Sequence, residues 1–241
     1  MGVRWVTCPR RKSRFEFNLP ESAFDFEQEK RDLRPENHAE RKASPWERRS
    51  ELGLWQGIYK TFKAVLFSPE DLFSTMTYKG GIREPLAFGL LLGSIGTMFG
   101  FFWQFLIMFC GLISLNHNLI GQFAWSLIFL IIIVISPLFV TITIFLTSSI
   151  LHLLLLVVRG EKNGFEATFR VISYSQATQV LGLIPFIGGL IGSFWLLIIQ
   201  IIGIREIHNT SYLRVILAFF IPLALIFLSV MAVLIPLIIF R

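Results

Sequence analysis

The residues best equipped for polar chemistry lie together in Arg170-Val171-Ile172-Ser173-Tyr174-Ser175-Gln176-Ala177-Thr178-Gln179. At helical spacing Arg170, Tyr174 and Ala177 share one face, and Ser175, Gln176 and Gln179 share a neighbouring one. In hydrocarbon such groups are costly unless they are hydrogen-bonded. This helix is therefore expected to face a bundle interior, with Arg170, Tyr174, Gln176, Gln179 and Gln200 turned inward. Thr141, Thr143, Thr147 and Ser148 are candidate partners. Two chemistries fit: a structural hydrogen-bond network, or a polar permeation path. A path usually needs a pairable charge at mid-depth, and none is visible.

Acid–base and nucleophilic catalysis lack their parts. Of the four histidines, His38 lies in a charged tail, His117 in a neutral loop, His152 in an apolar run and His208 after Arg205-Glu206. His152 has no histidine or carboxylate at helical spacing. No GxSxG, HExxH or phosphate-binding glycine loop is present. Cys8 and Cys110 give neither a disulfide framework nor metal-ligand spacing. The chain is expected to be no enzyme and to need no cofactor or metal.

What must position the polar helix is a membrane. Charged residues make up 16% of the 241, against about 25% in soluble domains. From Leu86 to Val158 there is no Asp, Glu, Lys or Arg, whereas a soluble helix must show one face to water. The expected fold is an all-α, polytopic membrane helical bundle of five transmembrane helices, preceded by amphipathic juxtamembrane helices and a disordered tail. The spans read as Leu86–Ile113, Phe123–Val158, Phe165–Leu183, Leu190–Ile204 and Leu213–Phe240. The second is about 54 Å long, more than the roughly 30 Å hydrocarbon core. With Pro137 inside, it reads as one kinked, tilted helix. In the first span Gly89, Gly93, Gly96 and Gly100 form a stripe that lets another backbone come close, in the same chain or in a second copy. Gly188 and Gly192 offer the same in the hairpin after Pro185.

Residues 1–85 hold 16 of the 22 Lys+Arg and 13 of the 16 Asp+Glu. So balanced a tail argues against nucleic-acid binding, and basic residues beside spans reflect topology and anionic lipid. Met1–Asn18 lacks the apolar core of a signal peptide. Residues 19–51 read as a disordered polyampholyte linker, and order is expected from about Leu52. In 52–85, Trp55, Ile58, Tyr59, Phe62 and Leu66 share a helix face flanked by Lys60 and Lys63. That face either lies in the headgroup layer or packs on the protein's own membrane domain. Ser68-Pro69-Glu70-Asp71 starts a short helix, with Ser68 as its cap, and Gly80-Gly81 ends it.

Charge sets the orientation. The loop Leu115–Gln122 and the turn Ile184–Gly189 carry no Lys or Arg. Arg159, Lys162 and Arg170 follow the second span, and Arg205 and Arg214 follow the fourth. With the N-terminus cytoplasmic and the C-terminus outside the cell membrane, charged loops fall inside and neutral ones outside. Arg241 alone stands against this.

Leu66-Phe67-Ser68-Pro69-Glu70-Asp71-Leu72-Phe73 and Gly80-Gly81-Ile82-Arg83-Glu84-Pro85-Leu86 resemble the lead-in segment of bacterial members of the Yip-domain family. That family is related to the Ypt/Rab-interacting membrane proteins. Gly164-Phe165-Glu166-Ala167-Thr168-Phe169-Arg170-Val171-Ile172-Ser173-Tyr174-Ser175 is the most specific match. Gly182–Gly189 and Gly203–His208 continue it. The resemblance covers about residues 55–240 and implies a five-span domain, 86–241 here, with a cytoplasmic N-terminus. It supplies no catalytic residues. Separately, Val6–Phe17 resembles the second half of a zinc ribbon, with Arg11 where a second cysteine would stand. Zinc binding is not expected from this degenerate remnant, residues 1–18.

These readings point to a non-enzymatic membrane scaffold or adaptor that binds a protein partner or anionic lipid through its N-terminal region, with homo-oligomers possible. The competing expectation is a transporter or channel for a small solute, ion or lipid. It would use the polar third span and the Pro/Gly hairpin.

Overall fold

The computed structural model describes residues 5–7, 14–16, 41–115 and 119–239. It divides into Met1–Glu40 and Arg41–Arg241. In the first unit β1 (Trp5–Thr7) pairs antiparallel with β2 (Arg14–Glu16), Val6 opposite Phe15. Cys8, Arg11 and the tail through residue 40 lie outside the described residues, as do His38 and His117.

The second unit begins with a surprise for a charged segment. Residues 41–51, expected as linker, pack into the domain: Ser44 and Trp46 are buried. Lys42 donates its amide to the Thr75 carbonyl at 2.7 Å and accepts from the Thr77 amide at 3.2 Å. The Trp46 indole donates to the Glu84 carbonyl at 2.9 Å. We call this stretch the strap. It runs through a single helical turn, α1 (Arg49–Leu52), and breaks at Gly53, whose φ of +88° favours glycine.

Next come α2 (Leu54–Phe67) and α3 (Pro69–Thr75). Pro69 sits in the first turn of α3 with Glu70 and Asp71, as expected, but the Ser68 side chain makes no capping bond. Nor do Gly80 and Gly81 end α3. It stops at Thr75 because Met76 turns extended to form a parallel bridge with Lys42 of the strap.

The uncharged stretch folds into two long antiparallel helices, α4 (Arg83–Leu115) and α5 (Leu119–Val157), the second continuous through Pro137. After a short charged loop, α6 (Gly164–Ser175) continues as a 3₁₀ segment, Gln176–Leu183. Then follow α7 (Gly188–His208) and α8 (Tyr212–Ile239). Among the described residues α4, α5, α7 and α8 are long and apolar enough to cross a membrane, over Arg83–Cys110, Ser126–Val157, Gly188–His208 and Tyr212–Ala232.

Expected as the third span, Phe165–Leu183 is the axis of the bundle. Every residue from Ala167 to Ser175 is buried, and α4, α5 and α7 surround it. The glycine stripe explains how α4 comes so close. A Cβ at Gly89 would stand 2.6 Å from the Ser173 carbonyl oxygen, and one at Gly96 would collide with the Gln179 carbonyl. Gly93 faces Val140 and Gln176, whereas Gly100 meets nothing. So three of the four glycines serve contacts within the chain. Gly188 and Gly192 serve the second hairpin, close to the carbonyls of Leu181 and Thr178. Outward, the bundle is sheathed in exposed apolar side chains such as Leu153, Phe194 and Phe227, the surface lipid requires.

Candidate functional site

Arg170 is the centre. It lies one and a half turns into α6 and its side chain is wholly buried. An isolated guanidinium in such a place would be prohibitive, and the strap supplies the counter-charge. Arg170 Nη1 donates to Glu47 Oε1 at 2.7 Å. Arg170 Nε faces Glu166 Oε1 at 3.6 Å, close enough to feel its charge. Nη2 reaches the Gly81 carbonyl at 3.5 Å. Gly80, at φ +148°, leaves room for this, because a Cβ there would stand 2.8 Å from Nη2. The Gly81 amide in turn donates to Glu166 at 2.6 Å.

Tyr174, one turn on, completes the cluster. Its hydroxyl donates to Glu47 Oε1 at 2.7 Å. With that proton committed, the Ser44 hydroxyl donates to the Tyr174 oxygen, also at 2.7 Å. Trp46, Phe88 and Tyr174 then follow one another in tilted ring contacts, with centroids 5.8 and 5.2 Å apart. At the rim Arg49 pairs with Glu84 through both carboxylate oxygens and lies 4.5 Å from the Trp46 ring centre. The hydrogen bond to Glu84 raises the Arg49 pKa above its ordinary value, with burial opposing.

Of the remaining polar residues of the axis, Ser175, Gln176 and Thr178 bond to carbonyls of their own segment, whereas the Ser173 hydroxyl is buried without a hydrogen-bond partner among the described residues. Gln200 donates to Ser175 Oγ at 3.3 Å, Ser175 to the Ile172 carbonyl at 2.9 Å, and Thr178 to the Ser175 carbonyl at 3.0 Å. Gln176 is buried and reaches the Ile172 carbonyl at 3.5 Å, while Gln179 is half-buried against Gly96. Thr141 and Thr143, expected as partners across the bundle, bond instead to carbonyls of their own helix, at Pro137 and Phe139. A threonine on a lipid-facing helix finds its own i−4 carbonyl nearest.

A second polar group lies nearer the charged loops. The His208 Nδ1 accepts from the Lys162 and Asn163 amides, each at 3.3 Å. Its proton is thereby placed on Nε2, which donates to Thr168 Oγ1 at 2.9 Å. Thr168 can then donate to His152 Nδ1 at 3.5 Å. Thus His152, solitary in the sequence, gains a neighbour through the fold. A hydroxyl between two imidazoles could suggest a nucleophile and its base, but Thr168 and His208 are fully buried. The group ties the 158–163 loop to the end of α7.

The amphipathic face of α2 is divided. Leu66 is buried and Ile58 and Phe62 pack partly on the core, while Trp55 is 80% and Tyr59 63% exposed. Lys60 and Lys63 are exposed beside them. What sequence reading missed is the strap: Ser44, Trp46, Glu47 and Arg49. Its one visible signal was Trp46, a large aromatic misplaced in a solvated linker.

A family model described as Yip1 domain matches residues 63–234. No curated protein and no solved structure gives a match.

Proposed function

Since this chain belongs to the Yip1 domain family and is a multi-pass membrane protein, we propose that it is a non-enzymatic membrane scaffold or adaptor. The observation that carries this reading is the Glu47–Arg170 pair, which fastens the strap to the bundle at 2.7 Å. Because the strap is fixed, α2 is fixed as well, and Trp55, Tyr59, Lys60 and Lys63 are presented outward on a rigid base. Exposed aromatics beside lysines suit a protein partner or an anionic headgroup layer. Hydrogen bonds of Gln200, Ser175 and Thr178 to one another and to nearby carbonyls favour a structural network over a permeation path.

Five crossings are part of the same proposal. Twelve α-helical residues in α6 and eight 3₁₀ residues after it extend about 34 Å, enough for the roughly 30 Å core. Arg214 donates to the Arg159 carbonyl, and Lys162 and Asn163 donate to the carbonyls of Asn209 and Ile207 at the end of α7. These loops thus share one end of the bundle, the cytoplasmic one by their charge. The turn Ile184–Ile187 and the C-terminus take the opposite side of the cell membrane.

Photocrosslinking probes at Trp55 and Tyr59 in native membranes test the adaptor reading. It predicts a recurrent protein adduct. Adducts to this chain alone, or solute flux above that of an inactive control in liposomes, overturn it, and adducts to lipid alone replace the protein partner with the headgroup layer.

A further inference from the structure

A groove of about 470 Å³ lies between the elbow joining α2 to α3 and the flank of α7. Leu66 and Ile199 are buried and form its floor, and Trp195 and Phe67 are exposed beside it. The Trp195 indole donates to the Leu66 carbonyl at 3.2 Å. That bond pins the elbow to α7 and leaves the floor with no carbonyl calling for water at that point. The volume falls within the range of about 300–1,000 Å³ typical of ligand sites. One wall of the groove, Trp195, Ile198, Ile199 and Ile202, belongs to α7, a helix long and apolar enough to cross a membrane, and the other carries Ser68, Glu70 and Asp71. An acyl chain matches the apolar wall, and a polar headgroup matches the side formed by Ser68, Glu70 and Asp71.

The lip chooses among headgroups. Glu70 and Asp71 line the groove and are exposed at the start of α3, Glu70 also accepting from the Tyr212 hydroxyl at 3.3 Å, and Lys63 is exposed one turn before the lining residue Phe67. One cation and two carboxylates match a headgroup that carries both a phosphate and an ammonium. A primary ammonium makes charge-assisted hydrogen bonds to carboxylates, which a quaternary one cannot donate. A headgroup of net negative charge meets two like charges. We propose that this groove binds a single phospholipid of the phosphatidylethanolamine class, its chain against Ile199 and Trp195, its phosphate toward Lys63 and its amine toward Glu70 and Asp71.

The test is native mass spectrometry of the full chain in detergent. It is supplied in turn with phosphatidylethanolamine, phosphatidylcholine and phosphatidylglycerol of identical acyl chains. One retained phosphatidylethanolamine, at several-fold higher occupancy than either other lipid, is expected. Ile198→Trp, which fills the groove from its wall, abolishes that retention. The exposed pair E70Q/D71N, in which the new side-chain amide at position 70 keeps an oxygen to accept from Tyr212, keeps the lipid but lowers the ethanolamine-to-choline preference to about one. Equal occupancy by all three lipids, or a preference for phosphatidylglycerol, overturns the proposal. So does an ethanolamine preference that survives E70Q/D71N.

Discussion

Glu47 and Arg170 stand 123 residues apart in the chain and meet at 2.7 Å, the carboxylate reaching in from the strap and the guanidinium held without solvent contact in α6. Glu47 lies outside the matched family segment, residues 63–234, and Arg170 inside it. The strap is therefore a structural member of the membrane domain.

Removing one member of a buried pair costs about 3–5 kcal/mol when the other is left charged and unpaired, and here Glu166, 3.6 Å from Arg170 Nε, offsets part of that cost. Glu47→Gln is expected to lower the thermal midpoint of the protein in detergent by a large margin. Replacing both members with apolar residues, E47L together with R170M, is expected to recover most of that loss. A double variant as unstable as E47Q alone means that the pair serves something other than charge balance.

The rim pair is a contrast. Arg49 and Glu84 have side chains 34% and 39% exposed, so water and salt screen them, and such pairs contribute about 0–1 kcal/mol. Arg49→Ala is expected to shift the midpoint far less than E47Q, and the shift should shrink further as salt is raised. An R49A effect equal to that of E47Q would show that Arg49 acts mainly by stacking on Trp46.

Gly96→Ala forces a methyl group into the Gln179 carbonyl, where backbone meets backbone and no side chain can yield. Loss of folded, monodisperse protein is expected on size-exclusion chromatography, since overpacking costs about 1–3 kcal/mol or more. Gly100→Ala has open space and should be neutral, or stabilising by up to about 1 kcal/mol. Equal behaviour of the two would show that α4 does not pack on the 3₁₀ segment as described.

Topology is open to direct labelling. In a background lacking Cys8 and Cys110, cysteines at Phe186 and at Asn209 report on the two ends of α7. A membrane-impermeant maleimide applied to intact cells should modify the first and spare the second. Labelling of Asn209→Cys from outside inverts the orientation. Protection of both, with Asn209→Cys reactive after lysis, leaves the Ile184–Ile187 turn within the bilayer and reduces the crossings to three.

Much of this architecture was written in simple terms. A run without charge can only be lipid-facing helix, so α4 and α5 were legible to within a few residues. The glycine stripe was legible because only one residue type lets two backbones touch. Arg170 and Tyr174 could be placed in the interior, because no lipid-facing position tolerates them. Glu47 could not be found this way. It sits among like neighbours in a charged segment, and nothing local distinguishes a carboxylate destined for burial. The 3₁₀ stretch Gln176–Leu183 was also hidden, since over eight residues a period of 3.0 is hard to tell from 3.6. His152, Thr168 and His208 are brought together by three separate helices, a relation that spacing along one helix cannot express.

The distance between Glu47 and Arg170 along the chain, 123 residues, also sets a schedule for biogenesis. A ribosome adding about 5–20 residues per second needs about 6–25 s after Glu47 leaves the exit tunnel before Arg170 follows. During that interval the first two long helices are already being inserted, while the strap waits at the membrane surface with its carboxylate in water. The domain can close only once the third apolar segment arrives, so the earliest part of this unit to be synthesised is among the last to reach its place.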